Sequence, residues 1–242
     1  MIRTLFIIVW TVLVTGFFCI ITIIASFLDN QGNKPHKLAG VWARSILFAS
    51  RIKVTVTGLS NIDPRRSYIF MSNHQSNFDI PVLLAYFNVQ FRWLAKAELF
   101  KIPLFGLAMQ RAGHISIDRF TRDSAIESLE KAAATIIKDK GSVFIFPEGT
   151  RSRDGKIGPF KKGGFVLAVD SGVPIVPVII HGTWRIMSKQ GMRIKSGNVV
   201  LEIRKPVETT HYTRKTKEDL MEKVRQIVCS ASEKEKQGEA LC

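Results

Sequence analysis

The sequence predicts an α/β fold, with a mixed, largely parallel sheet flanked by helices and an apolar helical segment at the N-terminus. Short strand-like runs alternate with helical patterns, and this alternation is typical of a parallel sheet covered by helices. The strand-like runs are Ile52–Thr57, Ser67–Ser72, Phe91–Ala95, His114–Ile117, Ser142–Phe146, Ile175–Ile180 and Val199–Arg204. The helical patterns are Asp79–Phe87, Pro103–Arg111, Arg122–Lys140, Gly164–Ser171 and Lys217–Ala231.

The N-terminal segment is apolar on every side. From Thr4 to Leu28 the chain reads TLFIIVWTVLVTGFFCIITIIASFL, 25 residues without a charge. That length is sufficient to cross a bilayer. A signal peptide has a shorter apolar region and a small-residue cleavage site, neither of which is visible here, and a helix of a soluble core is seldom apolar all round. The segment is therefore predicted to insert into a membrane.

A second, amphipathic helix is predicted directly after this segment. In PHKLAGVWARSILFASR, the residues Lys37, Arg44 and Arg51 recur at intervals of seven, and apolar residues stand between them at helical spacing. This pattern fits a helix that lies among lipid headgroups. The first segment then either spans the membrane or pairs with the second as a hairpin in one leaflet. Only Arg3 precedes the apolar run, so the rest of the chain is expected on the cytoplasmic face of the cell (inner) membrane.

Composition and charge indicate a globular protein with an anionic partner. Of 242 residues, 46% are hydrophobic and 35 basic side chains outnumber 20 acidic ones, for a net charge of +15. Nucleic acid, a phosphorylated substrate and a membrane surface all fit such a charge. Three scattered cysteines without a CxxC pair indicate a reduced compartment with neither disulfides nor structural zinc. We divide the chain into membrane-binding helices (1–51), a main domain (52–231) and a flexible tail (232–242).

Polar loops follow several of the predicted strands. NHQSNFD follows the second strand, Asp118 and Arg119 follow the fourth, PEGTRSRDGK follows the fifth and HGTW the sixth. Ligands of α/β folds bind beyond the carboxyl ends of the strands. These loops are therefore expected to gather on one rim of the sheet.

His74 and Asp79, in the first of these loops, are the candidate catalytic pair. Five positions apart, they can meet only if the chain turns between a strand and a helix, and Pro81 fits the first turn of such a helix. The alternative is that Ser76, Asn77 or Asp79 only caps the helix and that His74 is an ordinary loop residue.

Several kinds of site are absent from the sequence. It has no GxSxG elbow, GPFKKGG lacks the Lys-Ser/Thr of a nucleotide loop, and there is no HExxH or cysteine cluster for a metal. A His–Asp pair without a protein nucleophile is suited to act as a general base on a substrate hydroxyl. Arg119 and Arg151, which follow neighbouring strand-like runs, suit a phosphate, although surface ion pairs would also account for them.

Four blocks of the sequence resemble the glycerolipid acyltransferase superfamily. NHQSNFD matches its NHxSxxD block, and GHISIDR, FPEGTRS and VPIVPVII are similar to the next three blocks, in the same order. KAELFKIPLFG is similar to the KxELxxxPxxG segment of bacterial members. The similarity covers roughly residues 50–185 and points to the 1-acyl-sn-glycerol-3-phosphate acyltransferase family. It implies a glycerolipid acyltransferase-like fold and an enzyme of phospholipid biosynthesis that makes phosphatidic acid.

The resemblance also implies roles for single residues. His74 would take the proton from the hydroxyl of lysophosphatidic acid, with Asp79 holding the imidazole. The resulting alkoxide would attack the thioester of acyl-CoA or acyl carrier protein, the co-substrate, in one step and without any further cofactor or metal.

Further residues are implied to bind the acceptor. Arg119 and Arg151 would bind its phosphate, with Lys96 or Lys161 as additional cations. Glu148, Gly149 and Thr150 would shape the loop and help to place the glycerol.

Other readings remain open at this level. The acceptor could instead be glycerol 3-phosphate, another lysophospholipid or a lyso-aminolipid. A membrane-tethered nucleic-acid-binding protein would also explain the charge, but its basic residues would be interleaved with exposed aromatics. Here the aromatics concentrate in the apolar segment and the strands, so no nucleic acid is expected as a partner.

Overall fold

The computed structural model describes residues 1–29, 32–118, 122–139 and 141–237. Its helices are α1 (Ile2–Ser26), α2 (Asn33–Ala49), α3 (Asp79–Tyr86), α4 (Ala97–Phe100), α5 (Phe105–Arg111), α6 (Arg122–Asp139), α7 (Gly163–Ser171), α8 (Thr183–Ile186) and α9 (Lys217–Gln237). Its strands are β1 (Ile52–Thr57), β2 (Ile69–Ser72), β3 (Arg92–Lys96), β4 (Ile115–Ile117), β5 (Val143–Ile145), β6 (Ile175–His181) and β7 (Gly197–Ile203).

The strands form one seven-stranded sheet in the order β1-β7-β6-β2-β5-β3-β4. β6, β2, β5, β3 and β4 are parallel neighbours, β7 is antiparallel to β6, and β1 is parallel to β7. The sheet is therefore mixed and largely parallel, as predicted. Since β2 lies between β6 and β5, the loop after β2 leaves the middle of the carboxyl rim.

The two faces of the sheet are covered by different helices. Along β2, Phe70 belongs to the apolar cluster that includes residues of α2 and α3, whereas Ile69 and Met71 belong to the cluster that includes residues of α6, α7 and α9. This alternation is the period of two that a strand buried on both faces requires. Helices thus flank the sheet on both sides and hold the strand ends in a fixed frame.

The first two helices pack on each other as a hairpin. The Trp10 indole N–H donates to Ser45 Oγ, and the Trp42 indole N–H donates to Thr15 Oγ1, each at 3.0 Å. α1 is 25 residues long; its most apolar 18-residue window has a mean hydropathy of 2.7, and only 17% of that window is buried. It is therefore long and apolar enough to cross a membrane, and most of its surface is open to one.

Both ends of α1 also contact the main domain. At the start, Thr4 Oγ1 accepts the Ile194 N–H at 3.2 Å, and a guanidinium N–H of Arg3 donates to Ser196 Oγ at 3.4 Å. Another N–H of Arg3 donates to the Ser50 carbonyl at the end of α2, at 2.7 Å. Just beyond its end, the Arg111 guanidinium stacks over the Phe27 ring at 4.8 Å. The helix is therefore held against the domain near both of its ends.

The observed elements differ from the predicted ones mainly at their ends. Every predicted strand and helix is present, but the single-turn helices α4 and α8 were not expected. α9 continues to Gln237, past the predicted end at Ala231 and into the segment assigned to a flexible tail. The added residues are mostly Glu and Lys, which are good helix formers, and residues 238–242 lie outside the described part of the chain.

Candidate active site

The loop that carries His74 is fixed to the sheet by Asn73. The Asn73 amide donates to the Ile180 carbonyl at 2.9 Å, and its Oδ1 accepts the Ile180 N–H at 2.9 Å. These two bonds take the place of a pairing with β6 just after β2 ends at Ser72. The chain therefore leaves the sheet in one direction, with His74 as the next residue.

The side chains of His74 and Asp79 meet, because the chain turns between them as predicted. Nδ1 of His74 lies 2.8 Å from Oδ2 of Asp79. The Asp79 side chain is fully buried, while 17% of the His74 side chain is exposed. A carboxylate at Nδ1 favours the tautomer with its proton on that nitrogen, which leaves Nε2 to accept a proton.

Asp79 holds the loop before it. Its Oδ2 also accepts the backbone N–H groups of Gln75 at 2.7 Å and Ser76 at 2.9 Å. The N-terminus of α3 has no side-chain cap hydrogen bond, so helix capping does not account for Asp79. The carboxylate instead fixes both the imidazole and the backbone that carries it.

An aromatic ring stacks on one face of the His74 imidazole. The rings of His74 and Phe146 stack with centroids 3.9 Å apart and planes 13° apart, and Phe146 stacks in turn on Trp93 at 5.6 Å. The stack restricts rotation of the imidazole and keeps water from one of its faces. Phe146 begins the FPEGTRS block, yet the sequence placed it only in a strand.

Glu148 joins the two central loops. Its Oε1 accepts the His74 N–H and its Oε2 accepts the Gly158 N–H, each at 2.8 Å, and the residue is 6% exposed. Burial raises the pKa of Glu148 above its ordinary value, although both hydrogen bonds favour the ionised form. Glu148 therefore joins the two loops through these hydrogen bonds, while its predicted part in placing the glycerol stays a prediction.

The rest of the FPEGTRS loop bends back towards His74. Gly149 has a φ of +69°, which a residue with a side chain adopts only at a cost, and the Ser152 N–H donates to the His74 carbonyl at 2.8 Å. The Lys189 ammonium donates to Thr150 Oγ1 at 2.9 Å and to the Arg151 carbonyl at 3.1 Å. No local pattern in the sequence indicates the contact with Lys189, since this residue comes from a distant loop.

Arg151 is a half-buried cation in the FPEGTRS loop, next to Ser152, whose N–H donates to the His74 carbonyl. Within the described part of the chain its guanidinium forms no hydrogen bond or ion pair. Because no described protein group pairs with it, the guanidinium is available to an anion at the rim. Its predicted role as a phosphate ligand is consistent with this placement.

The other predicted cations lie further along the rim. Lys96 is exposed at the end of β3, opposite Ile117 of β4, and Lys161 is exposed in the loop before α7. Arg119 lies outside the described residues. The expectation that Arg119 and Arg151 follow neighbouring strands is wrong, because β3 lies between β4 and β5.

The Acyltransferase family model matches residues 53–181, more than half of the chain, and the match includes both central loops. The chain belongs to the Acyltransferase family. A solved member of similar fold is the 1-acyl-sn-glycerophosphate (LPA) acyltransferase PlsC from Thermotoga maritima. It superposes with a TM-score of 0.82 at 30% identity and covers 97% of this chain and 95% of that one.

Curated relatives in the family carry related names. The 1-acyl-sn-glycerol-3-phosphate acyltransferase of Saccharomyces cerevisiae is 34% identical over 209 residues, which is 84% of this chain and 69% of the relative. A chloroplastic enzyme of that name from Brassica napus is 38% identical over 175 residues, which is 71% of this chain. The matched region spans about half of the chloroplastic relative's length, 50%.

Proposed function

We propose that the protein transfers an acyl group from a thioester of CoA or acyl carrier protein to the sn-2 hydroxyl of 1-acyl-sn-glycerol 3-phosphate. The product is phosphatidic acid, an intermediate of phospholipid biosynthesis. The observation that carries this proposal is the His74–Asp79 pair, 2.8 Å apart, with the carboxylate fully buried. Among the described residues no serine, threonine or cysteine side chain hydrogen-bonds to the imidazole, so the pair is suited to a hydroxyl that arrives with the substrate.

The reaction needs a base that takes the proton of the acceptor hydroxyl and later gives it to the leaving thiolate. Nε2 of His74 accepts the proton of the sn-2 hydroxyl as its oxygen attacks the thioester carbonyl. The new C–O bond forms, the C–S bond breaks, and the imidazolium returns the proton to the leaving thiolate. Asp79 stabilises the imidazolium in between and keeps Nε2 directed at the substrate.

The acceptor's phosphate must bind close to this base. In lysophosphatidic acid the reacting hydroxyl and the phosphate ester stand on adjacent carbons, so a phosphate ligand has to lie on a loop next to His74. Arg151 meets this condition, because the backbone of the next residue, Ser152, donates to the His74 carbonyl. A planar guanidinium binds two phosphate oxygens at once, and Lys96 and Arg119 are the further cations proposed for this end.

We infer the membrane position from the α1–α2 hairpin. Arg3 and Thr4 at one end of α1 contact the main domain, and so does Phe27 just beyond the other end. Both ends then lie on one side of the bilayer, and the hairpin lies within a single leaflet. We place it in the cytoplasmic leaflet of the inner membrane, where an anionic lipid surface attracts the net charge of +15.

The test is a transfer assay with the full chain in mixed micelles. Labelled acyl-CoA and labelled acyl carrier protein are each offered with lysophosphatidic acid, glycerol 3-phosphate, lysophosphatidylcholine or a lyso-aminolipid. We expect labelled phosphatidic acid as the main product. Preferential acylation of any other acceptor would contradict the proposed substrate.

A further inference from the structure

A groove beside the candidate active site carries a concentration of positive charge. It has a volume of 750 Å³ and is lined by α8, the loop from 187 to 196 and the start of β7. Its walls include Arg185, Arg193 and Lys195, together with Trp184. We refer to these four residues and the space between them as the cationic groove. The volume is within the range of small-molecule sites, which extends from about 300 to 1,000 Å³.

Among the residues that the structure describes, no carboxylate pairs with the cations of the groove. No aspartate or glutamate is among the described residues that line it. In the part of the chain that the structure describes, the side chains of Arg185, Arg193 and Lys195 form no ion pair. A concave site lined by one sign of charge concentrates the field and favours a multiply charged anion.

The loop that carries these cations is anchored. Ile186 and Ile194 are 2% and 7% exposed in the apolar core. The Lys195 N–H donates to the Ile186 carbonyl at 3.0 Å, and the Ile194 N–H donates to Thr4 Oγ1 at 3.2 Å. The backbone beneath Arg193 and Lys195 is therefore held in place, so their side chains start from fixed positions on one wall.

The segment from Trp184 to Met187 lies between the cationic groove and the His74 loop. Ser76 Oγ donates to the Met187 carbonyl at 2.7 Å, and the Trp184 indole packs so closely over Gly155 that a Cβ there would lie 3.1 Å from the ring. His74 itself does not line the groove. A ligand that fills the groove and also reaches His74 must therefore extend across this segment.

We infer that the cationic groove binds the phosphorylated nucleotide of a CoA thioester donor, an inference that rests on the function proposed above. A CoA thioester carries its phosphates at the far end of the long pantetheine arm, away from the reacting carbonyl. The phosphate of lysophosphatidic acid is on the carbon next to its reacting hydroxyl, and His74 does not line the groove, so we assign the groove to the donor and not to this phosphate. The three cations of the groove match the phosphates of the nucleotide, and the lining also contains Trp184, an aromatic residue of the kind on which bases stack.

The test compares the double variant Arg193→Ala/Lys195→Ala with the control Arg65→Ala/Lys223→Ala. The control removes the same charge from exposed positions outside the groove. For the groove variant we expect the KM for acyl-CoA and the calorimetric Kd for CoA to rise by about 10- to 100-fold, since hydrogen bonds to charged groups are lost. For the control we expect both to stay within about twofold of the unmodified protein.

Two further measurements separate binding of the CoA nucleotide from a general loss of activity and from binding of anionic lipid. One uses a truncated donor and the other uses lipid vesicles. With an acyl-N-acetylcysteamine thioester, which has no nucleotide, the groove variant should match the unmodified protein. Equal losses with both donors, an unchanged Kd for CoA, or weakened binding only to vesicles of anionic phospholipid would each overturn the inference. If the unmodified protein transferred no acyl group, the proposed function would fail, and the Kd for CoA would still decide the groove.

Discussion

The backbone N–H of His74 donates to Oε1 of Glu148 at 2.8 Å, across 74 positions of the chain. The other carboxylate oxygen of Glu148 accepts the Gly158 N–H. The loops after β2 and β5 are thus joined by one buried side chain at the point where the base is carried. Glu148 acts through His74, so we regard it as a positioning residue.

Replacing Glu148 with Gln should impair both stability and rate. Glutamine has one acceptor oxygen for two backbone N–H groups, so one of them loses its partner at a cost of about 1–3 kcal/mol. Displacement of His74 should lower kcat by about 10- to 100-fold, with little change in either KM.

The control for this prediction is Glu208→Gln, the same change in an exposed ion pair with Arg66. Such a pair contributes about 0–1 kcal/mol, so this variant should keep its kcat and melting temperature. Thermal unfolding and initial rates are the two measurements. A Glu148→Gln enzyme with full kcat would show that the bond to His74 does not position the base.

Arg151→Ala should weaken the use of lysophosphatidic acid specifically. Loss of one bidentate cation should cost roughly 2–4 kcal/mol, by analogy with truncating one side of a buried charge pair, or about 30- to 1,000-fold in kcat/KM. Arg151→Lys should recover only part of this, because lysine lacks the planar fork. Kinetics with lysophosphatidic acid and with monoacylglycerol decide the matter, since equal losses on both would make Arg151 a structural residue.

The local sequence pattern was sufficient to predict that His74 and Asp79 meet. It was not sufficient to predict which other residues contact them. The polar turn between β2 and a helix that contains Pro81 predicts that His74 and Asp79 meet, because no other local arrangement brings them together. The partners of Glu148 and the separation of β4 from β5 by β3 depend on tertiary pairing. Strand order is chosen by packing over the whole sheet, so a pattern of adjacent runs does not determine it.

Acid should destabilise the fold through two histidines, His36 in α2 and His114 just before β4. Burial, reinforced by the charge of Arg92, lowers the pKa of His36 from 6.5 to about 4 and that of His114 to about 3. The unfolded chain then binds more protons than the folded chain below pH 6.5, so stability is complete above 6.5 and declines as the pH falls. Each histidine contributes a loss of about 1.4 kcal/mol per pH unit.

Thermal unfolding between about pH 7.5 and pH 5 measures this decline. In the variant His36→Gln/His114→Asn the stability should depend less steeply on pH. The amide oxygen introduced by His114→Asn keeps an acceptor for the backbone N–H of Trp93, which donates to His114 Nδ1. His211→Asn, at an exposed position, is the control and should follow the unmodified protein. Identical slopes for the double variant and the control would contradict the assignment.

The hairpin should expose both ends of α1 on one membrane face. In a variant without native cysteines, Ile2→Cys and Asp29→Cys are labelled separately with an impermeant maleimide in sealed inside-out vesicles. Both should react from outside, because both ends of α1 contact the main domain. Protection of residue 2 until the vesicles are opened would show instead that α1 spans the bilayer.

The most direct measurement is acyl transfer from labelled acyl-CoA to lysophosphatidic acid by His74→Ala, beside Asp79→Asn and the unmodified enzyme. His74→Ala should remain folded and membrane-bound yet lose about 10²- to 10⁴-fold in kcat, the contribution of a positioned general base. Asp79→Asn keeps an oxygen for the N–H groups of Gln75 and Ser76 but loses the charge that stabilises the imidazolium, so its loss should be severe though less complete. A folded His74→Ala enzyme with a rate near that of the unmodified protein would contradict the account.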